Sequence, residues 1–318
     1  MVNNLDRRIA IFPHPTAASP EPAPRIDTTS TRLLNSSAEH SYDPDVDIDW
    51  AAPLDPGSVY QLPHRNSLYG TALWDALTPE QRNELGKHEL VGISSLGIYA
   101  EIALMHQLLR VATEGDPISP AAQYALTEVA DECRHSIMFG KAIRHAGLEV
   151  YRRPRLALRI GLAAATLLPL GPAVYGSLLL VEELLDQMQR ESMASDQVQP
   201  YVRTVNRIHV IEEARHISFA RQLFKQAVSE SGPRTLAASR VTLAAAALAY
   251  SRLFVDPRVY RSVGLQPLQA WRIAVNNPHH QQSLQWMARR LVAFFEEQSM
   301  IRGPLTTRIW RRSHLWQG

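Results

Sequence analysis

From Thr78 onward, apolar residues return every three or four positions through long stretches, the period of helices that bury one face. Residues 1–60 differ: they are rich in Pro, Ser, Thr and Asp with no sustained period, which predicts an extended or partly disordered N-terminal arm. Thr78, Pro79 and Gln81 form an N-cap, a first-turn proline and the third-position partner of a capping box, opening a helix predicted to reach Thr113. Ser119-Pro120 repeats the start signal and Gly147 supplies a stop. Further helices are predicted over 154–168, 173–194, 198–230, 234–253, 267–276 and 279–300, with Gly232-Pro233, Asp256-Pro257 and Asn277-Pro278 as breaks. No alternating strand pattern and no fixed-period repeat is present. The fold class is therefore all-α: a helical bundle with additional C-terminal helices, one domain over 61–318 whose chemistry-bearing core spans 75–225.

Two of these helices carry Glu-x-x-His: Glu132 with His135, and Glu213 with His216. At about 100° per residue, positions three apart share a helix face, so carboxylate and imidazole can converge on one metal ion. A single such pair is common by chance. Here each follows a helix with a carboxylate near its middle, Glu101 before the first and the neighbours Glu182 and Glu183 before the second. That order, Glu, Glu-x-x-His, Glu, Glu-x-x-His, is the ligand pattern of ferritin-like two-metal bundles.

Glu101 shares its face with Leu90, Ser94, Gly97, Ile98, Leu104, Met105 and Leu108, and Glu132 and Glu213 also lie on apolar faces. A lone ionised carboxylate there costs several kcal/mol unless a cation compensates it. Arg134 and Arg215 point to the opposite sides of their helices and are expected in solvent. Only one of Glu182 and Glu183 can face the site, and periodicity leaves both open. Glu128 and Asp186 are candidates for supporting a metal ligand from outside, and Glu212 is expected at the edge. His209, four residues before Glu213, falls on the same stripe. Carboxylate and imidazole donors suit iron, with manganese as a substitute.

Composition narrows the alternatives. The formal charge is +2, from 33 basic and 31 acidic residues, so no global field points to nucleic acid or an anionic membrane. One cysteine, Cys133, excludes an intrachain disulfide and a thiolate cluster, fits a reducing compartment, and is expected to be a buried small hydrophobe. The apolar run after Asp6, Arg7 and Arg8 is too short for a secretory leader, so a cytoplasmic location is expected. The most apolar segment, 156–181, is broken by Arg159, Gly161, Pro169, Gly171 and Pro172 and suits two helix segments better than a membrane span. No phosphate loop or nucleophile elbow is present.

With His209 included, the pattern resembles the AurF-like arylamine N-oxygenases, non-haem diiron enzymes with a ferritin-like core. The resemblance covers residues 75–225. It implies seven metal ligands, Glu101, Glu132, His135, Glu183, His209, Glu213 and His216, and it selects Glu183 over Glu182. It further implies two iron ions, dioxygen as co-substrate, an external electron donor, and oxidation of an amine nitrogen on a small molecule. The tyrosine that helps hold an aminobenzoate carboxylate in that family corresponds to Ile93, and Arg289 and Arg290 are the only nearby counterparts of its arginine. A more apolar or tethered substrate is expected.

The basic run Arg152, Arg153, Arg155 and Arg159 could dock an acidic electron-transfer protein or a carrier protein, and a homodimer is expected. Packing on the body or on a dimer partner is expected for the basic-aromatic tail, from Arg308 to Trp316, and a surface position for His279-His280. The same ligands would also serve a diiron hydroxylase or desaturase acting on carbon, or a non-catalytic ferritin-like metal-binding protein.

Overall fold

The computed structural model describes residues 26–318, so the start of the predicted arm lies outside the described residues. Where the arm is described, the expectation of extended chain fails over Ile26–Glu39, which form helix α1. Its buried stripe is Thr29, Leu33 and Ser37, with Ser30 beside it donating to the Ile26 carbonyl at 2.8 Å. A face made largely of small hydroxyl residues carries no hydrophobic period, which is why the sequence concealed it.

After a short helix α2 (Ala72–Asp75), the long helices follow the start signals closely. In α3 (Pro79–Glu114), Thr78 accepts from the Gln81 amide while the Gln81 side chain accepts from the Thr78 amide, so the capping box forms as predicted. Helix α4 (Pro120–His145) opens on Ser119 and ends before Gly147, whose φ of +73° is the left-handed conformation that glycine adopts without strain. Helix α5 (Arg155–Leu167) comes next. The single helix predicted over 173–194 is instead α6 (Pro172–Leu184) and α7 (Asp186–Met193), parted at Leu185. Helix α8 (Pro200–Glu230) is followed by α9 (Pro233–Leu253), α10 (Pro267–Asn276), α11 (Pro278–Glu297) and α12 (Pro304–Ser313). Among the described residues there is no strand, only an isolated parallel bridge between Val59 and Val198.

Two helix pairs make the core: α3 against α4, and α6 with α7 against α8. Their inward faces meet around the carboxylates. At Gly176 a Cβ would lie 3.0 Å from both Phe224 and Leu243, so a side chain there would require those neighbours to shift, and α6 packs closely on α8 and α9. Helix α1 crosses α4 and α8, α9 packs on α6, and α12 packs on α9. The tail thus belongs to the body, with Trp310 fully buried against Phe295 at 5.9 Å between ring centroids. His280 is buried too, contrary to its expected surface position, because it sits on the inner face of α11 beside Ser283, Leu284 and Met287.

A candidate dinuclear metal centre

Helices α3, α4, α6 and α8 bring Glu101, Glu132, His135, Glu182, His209, Glu213 and His216 together, each almost completely buried. Three overlapping groups have donor atoms close enough to share an ion: Glu132, His135, Glu213 and His216; Glu128, Glu132, Glu182 and His216; and Glu101, His209 and Glu213. Glu132 reaches His135 Nδ1 at 3.0 Å with one oxygen and His216 Nδ1 at 2.8 Å with the other. Glu213 likewise reaches His135 Nδ1 and His209 Nε2, both at 3.3 Å, with one oxygen and His216 Nδ1 at 3.6 Å with the other. These two carboxylates each face both His135 and His216.

The imidazoles are aimed from behind. His135 Nε2 lies 2.9 Å from Glu212, and His216 Nε2 lies 3.2 Å from Asp131. Donation of those N–H groups leaves both Nδ1 lone pairs facing the carboxylates. His209 is turned the other way: its Nδ1 lies 3.1 Å from the Gln189 side-chain oxygen, which leaves Nε2 facing Glu101 and Glu213. The acid preceding each Glu-x-x-His therefore supports the histidine of the other motif. The sequence carried a signal for this, since Asp131-Glu132-Cys133-Arg134-His135 and Glu212-Glu213-Ala214-Arg215-His216 match in character at the first, second, fourth and fifth positions. Glu212, expected at the edge, is buried, and so is Arg215, which lies 3.6 Å from both Asp131 and Glu212. Arg134 pairs with Asp131. The arginines stand where solvent was expected because the supporting acids need cations.

Glu183 does not join the cluster. Its carboxylate is held by Arg221, with Nε at 3.1 Å, while both oxygens of Glu182 are buried and without a hydrogen-bond partner beside His216. In this arrangement Glu182, and not the expected Glu183, faces the cluster: both positions of α6 are buried, and the arginine on α8 pairs with Glu183. Asp186 bonds Arg190 at 2.9 Å and faces Arg290 rather than an imidazole. Glu128 lies within the second group. Cys133 is exposed, with its sulfur 3.4 Å from that of Met105, not buried as expected, since it turns to the outer side of α4.

Electrostatics show what this cluster lacks. Burial, reinforced by the charges of Glu132 and Glu213, pushes the Glu101 carboxyl well above its usual range. Burial also raises Glu128, to about 8, against the pull of His216. Burial acts upward on Glu132 as well, but His135 and His216 outweigh it and hold that carboxyl well below the ordinary value. His135 and His216 are raised well above theirs, the adjacent carboxylates overcoming burial, whereas burial and the His135 charge drive His209 far down. Both Glu182 oxygens are buried without a hydrogen-bond partner, and Glu132 Oε1, Glu213 Oε2, His209 Nε2 and His216 Nδ1 face only one another across the cluster, without a well-aligned hydrogen bond. Orphaned lone pairs in one place cost several kcal/mol together, and divalent cations would satisfy all of them at once.

A cavity adjoins the cluster: Glu101, Glu182, His209 and Glu213 line it together with apolar residues such as Ile93, Ala100, Phe139, Val181, Val205 and Phe254 and polar ones such as Ser94, Asn206 and Tyr250. Ile93 lines it, as its position required; Arg289 and Arg290 do not. Arg65 is the one arginine or lysine among the lining residues, and its guanidinium is already bound to Glu191, with Nη2 at 3.1 Å, and lies 3.7 Å over the Trp286 ring.

A four-helix core with carboxylates and imidazoles converging between two helix pairs defines the ferritin-like class of two-metal oxidoreductases. Within it, the family model of p-aminobenzoate N-oxygenase AurF matches residues 23–299, and the chain belongs to that family. The uncharacterized proteins Rv0885 of Mycobacterium tuberculosis (strain ATCC 25618 / H37Rv) and Mb0909 of Mycobacterium bovis (strain ATCC BAA-935 / AF2122/97) are each 28% identical over 200 residues, 61% of this chain. The match spans 59% of each relative's length. Two solved variants of an R2-like ligand-binding oxidase with an anaerobically reconstituted Mn/Fe cofactor align over 94% of this chain and of theirs, at 14% and 13% identity and TM-scores of 0.41 and 0.44.

Proposed function

We propose that the chain is a diiron N-oxygenase in a biosynthetic pathway, acting on a neutral amine of apolar, arylamine-like shape, with Glu101, Glu132, His135, Glu182, His209, Glu213 and His216 holding the two irons. The observation that carries the reading is the convergence of buried carboxylate and imidazole donor atoms on a largely apolar cavity. When bound, the irons would supply the electrons and Lewis acidity for dioxygen reduction. The protein's own part is positional. Asp131, Glu212 and Gln189 fix the three imidazole tautomers, and Glu132 and Glu213 offer one oxygen to each half. The apolar walls keep water from the reacting nitrogen.

The same walls argue for substrate class. A buried carboxylate is held best by a cationic partner, and Arg65, the one arginine or lysine among the described lining residues, is already committed to Glu191, which leaves only neutral groups such as Ser94, Tyr201, Asn206 and Tyr250. Free p-aminobenzoate is therefore disfavoured against neutral anilines or a carrier-tethered amine. The electrons would come from a cytoplasmic reductase or electron-transfer protein.

The test is anaerobic reduction of iron-loaded protein, then dioxygen and a panel of anilines, with mass spectrometry of the products. Nitrogen-oxidised anilines from neutral substrates, with little turnover of p-aminobenzoate, are expected. Products oxygenated only at carbon would replace the reading with a hydroxylase, and a protein that keeps two irons but does not react with dioxygen would make it a binding protein.

A further inference from the structure

Helix α5 is built the wrong way round for a protein surface. Of its 13 residues only Ala165 is buried, although leucine, isoleucine and alanine dominate it. Ala165 and the half-buried Leu158 face α3, and Arg110 on α3 donates to the Ala165 carbonyl at 3.1 Å. The opposite face carries Leu156, Ile160, Ala163 and Leu167, spaced four, three and four residues apart, so that they form one stripe. Leu156 is 70% exposed, Ile160 62% and Leu167 78%. A helix apolar on both sides, with one side packed, leaves the other for a partner.

Local charge identifies the partner. Between Glu149 and Glu182 there is no acidic residue, while Arg152, Arg153, Arg155 and Arg159 cluster at the start of the helix. Arg153 pairs with Asp256 at 3.4 Å; Arg155 and Arg159 are exposed beside the apolar stripe. The near-zero net charge of the whole chain conceals this basic segment. At about 1.5 Å per residue, 13 residues span about 20 Å, short of the ~30 Å hydrocarbon core. Among the described residues no helix is long and apolar enough to cross a membrane. An apolar stripe flanked by arginines on so short a helix is the design of a helix that lies in a headgroup layer. A second copy placed on the stripe about a twofold axis would bring two acid-free, arginine-bearing segments together, which disfavours that occupant.

We propose that α5 is a membrane-surface anchor, sinking Leu156, Ile160 and Leu167 among the acyl chains of an anionic bilayer while Arg152, Arg155 and Arg159 bind headgroup phosphates. The test is co-sedimentation of the full chain with vesicles of phosphatidylcholine alone or with phosphatidylglycerol added. Binding is expected only to the anionic vesicles, weakening with salt. Substituting Arg152→Gln, Arg155→Gln and Arg159→Gln together should lower the partition coefficient by about fivefold per arginine. Substituting Leu156→Gln, Ile160→Gln and Leu167→Gln should abolish binding, with helicity and iron content unchanged as the check on folding. Equal recovery with both vesicle types, or in their absence, would overturn the proposal. So would leucine and isoleucine variants that bind vesicles like the parent. If those variants convert a dimer to a monomer without altering vesicle binding, the stripe is an interface between copies instead.

Discussion

The centre of the bundle and helix α5 are inverted in opposite senses. Between α3, α4, α6 and α8 the protein buries carboxylates where a core should be apolar, and along α5 it exposes leucines and isoleucine where a surface should be polar. Each inversion marks an absent partner, but the two differ in how tightly they specify it. The buried cluster fixes donor type, number and direction through Asp131, Glu212 and Gln189. The stripe on α5 fixes only polarity and sign of charge. Buried charge is costly enough that its surroundings must be built atom by atom; exposed apolar surface is tolerated at a few tens of calories per square ångström.

The contrast is tested most severely at Glu132. Glu132→Ala should weaken iron retention on the order of 100-fold, at or beyond the loss expected for an outer-shell change, and should lower the melting temperature of metal-free protein, because His135 and His216 lose the carboxylate that pairs with both. Metal analysis and calorimetry with and without chelator check both signs; a variant that keeps two irons would break the comparison. Next, Glu182→Gln should lose iron, whereas Glu183→Gln should retain it and cost about 1–2 kcal/mol through the pair with Arg221, which is itself about one-third exposed. Reversal of that pattern would restore Glu183 as the ligand. Glu212→Gln, acting through His135, should reduce metal affinity about 10- to 100-fold without removing a ligand, read by competition with a chelator.

A smaller effect separates buried charge with a protein partner from buried charge awaiting metal. Glu89, on α3, accepts from the Ser67 amide at 3.0 Å and the Gln61 amide at 3.1 Å, and burial pushes its carboxyl up to about 7 despite those bonds. Its raised value means the folded state holds a proton the unfolded state has lost. Its contribution is therefore full below the ordinary value of 4.5 and disappears as pH rises through about 7, by up to about 3 kcal/mol. Urea unfolding between pH 5 and 8 should show this fall in chelated protein, and Glu89→Gln should flatten it. Smallest of all, Leu156→Gln should change unfolding free energy by under about 0.5 kcal/mol, because the side chain is already in solvent. A larger loss would mean that the stripe packs within the chain.

Much of this organisation is legible without coordinates, and its limits have physical causes. Capping boxes and prolines are local, so the starts of α3 and α4 and the spacing of Glu101, Glu132, His135, Glu213 and His216 follow from sequence. The choice between Glu182 and Glu183 depends on Arg221, a residue on another helix, and no period along α6 contains it. Helix α1 was hidden by its hydroxyl-rich face, and the break at Leu185 by an apolar pattern that continues across it. The supporting acids were in plain sight as the residue before each Glu-x-x-His, but their value emerges only when the two motifs face each other.

That exchange of support makes the two halves of the centre interdependent. Asp131 belongs to α4 yet steadies the histidine of α8, and Glu212 belongs to α8 yet steadies the histidine of α4. If the seven residues hold two irons, the donors of each would be backed by an acid from the other motif, so partial loading should be disfavoured, and metal analysis should find two irons or none more often than one.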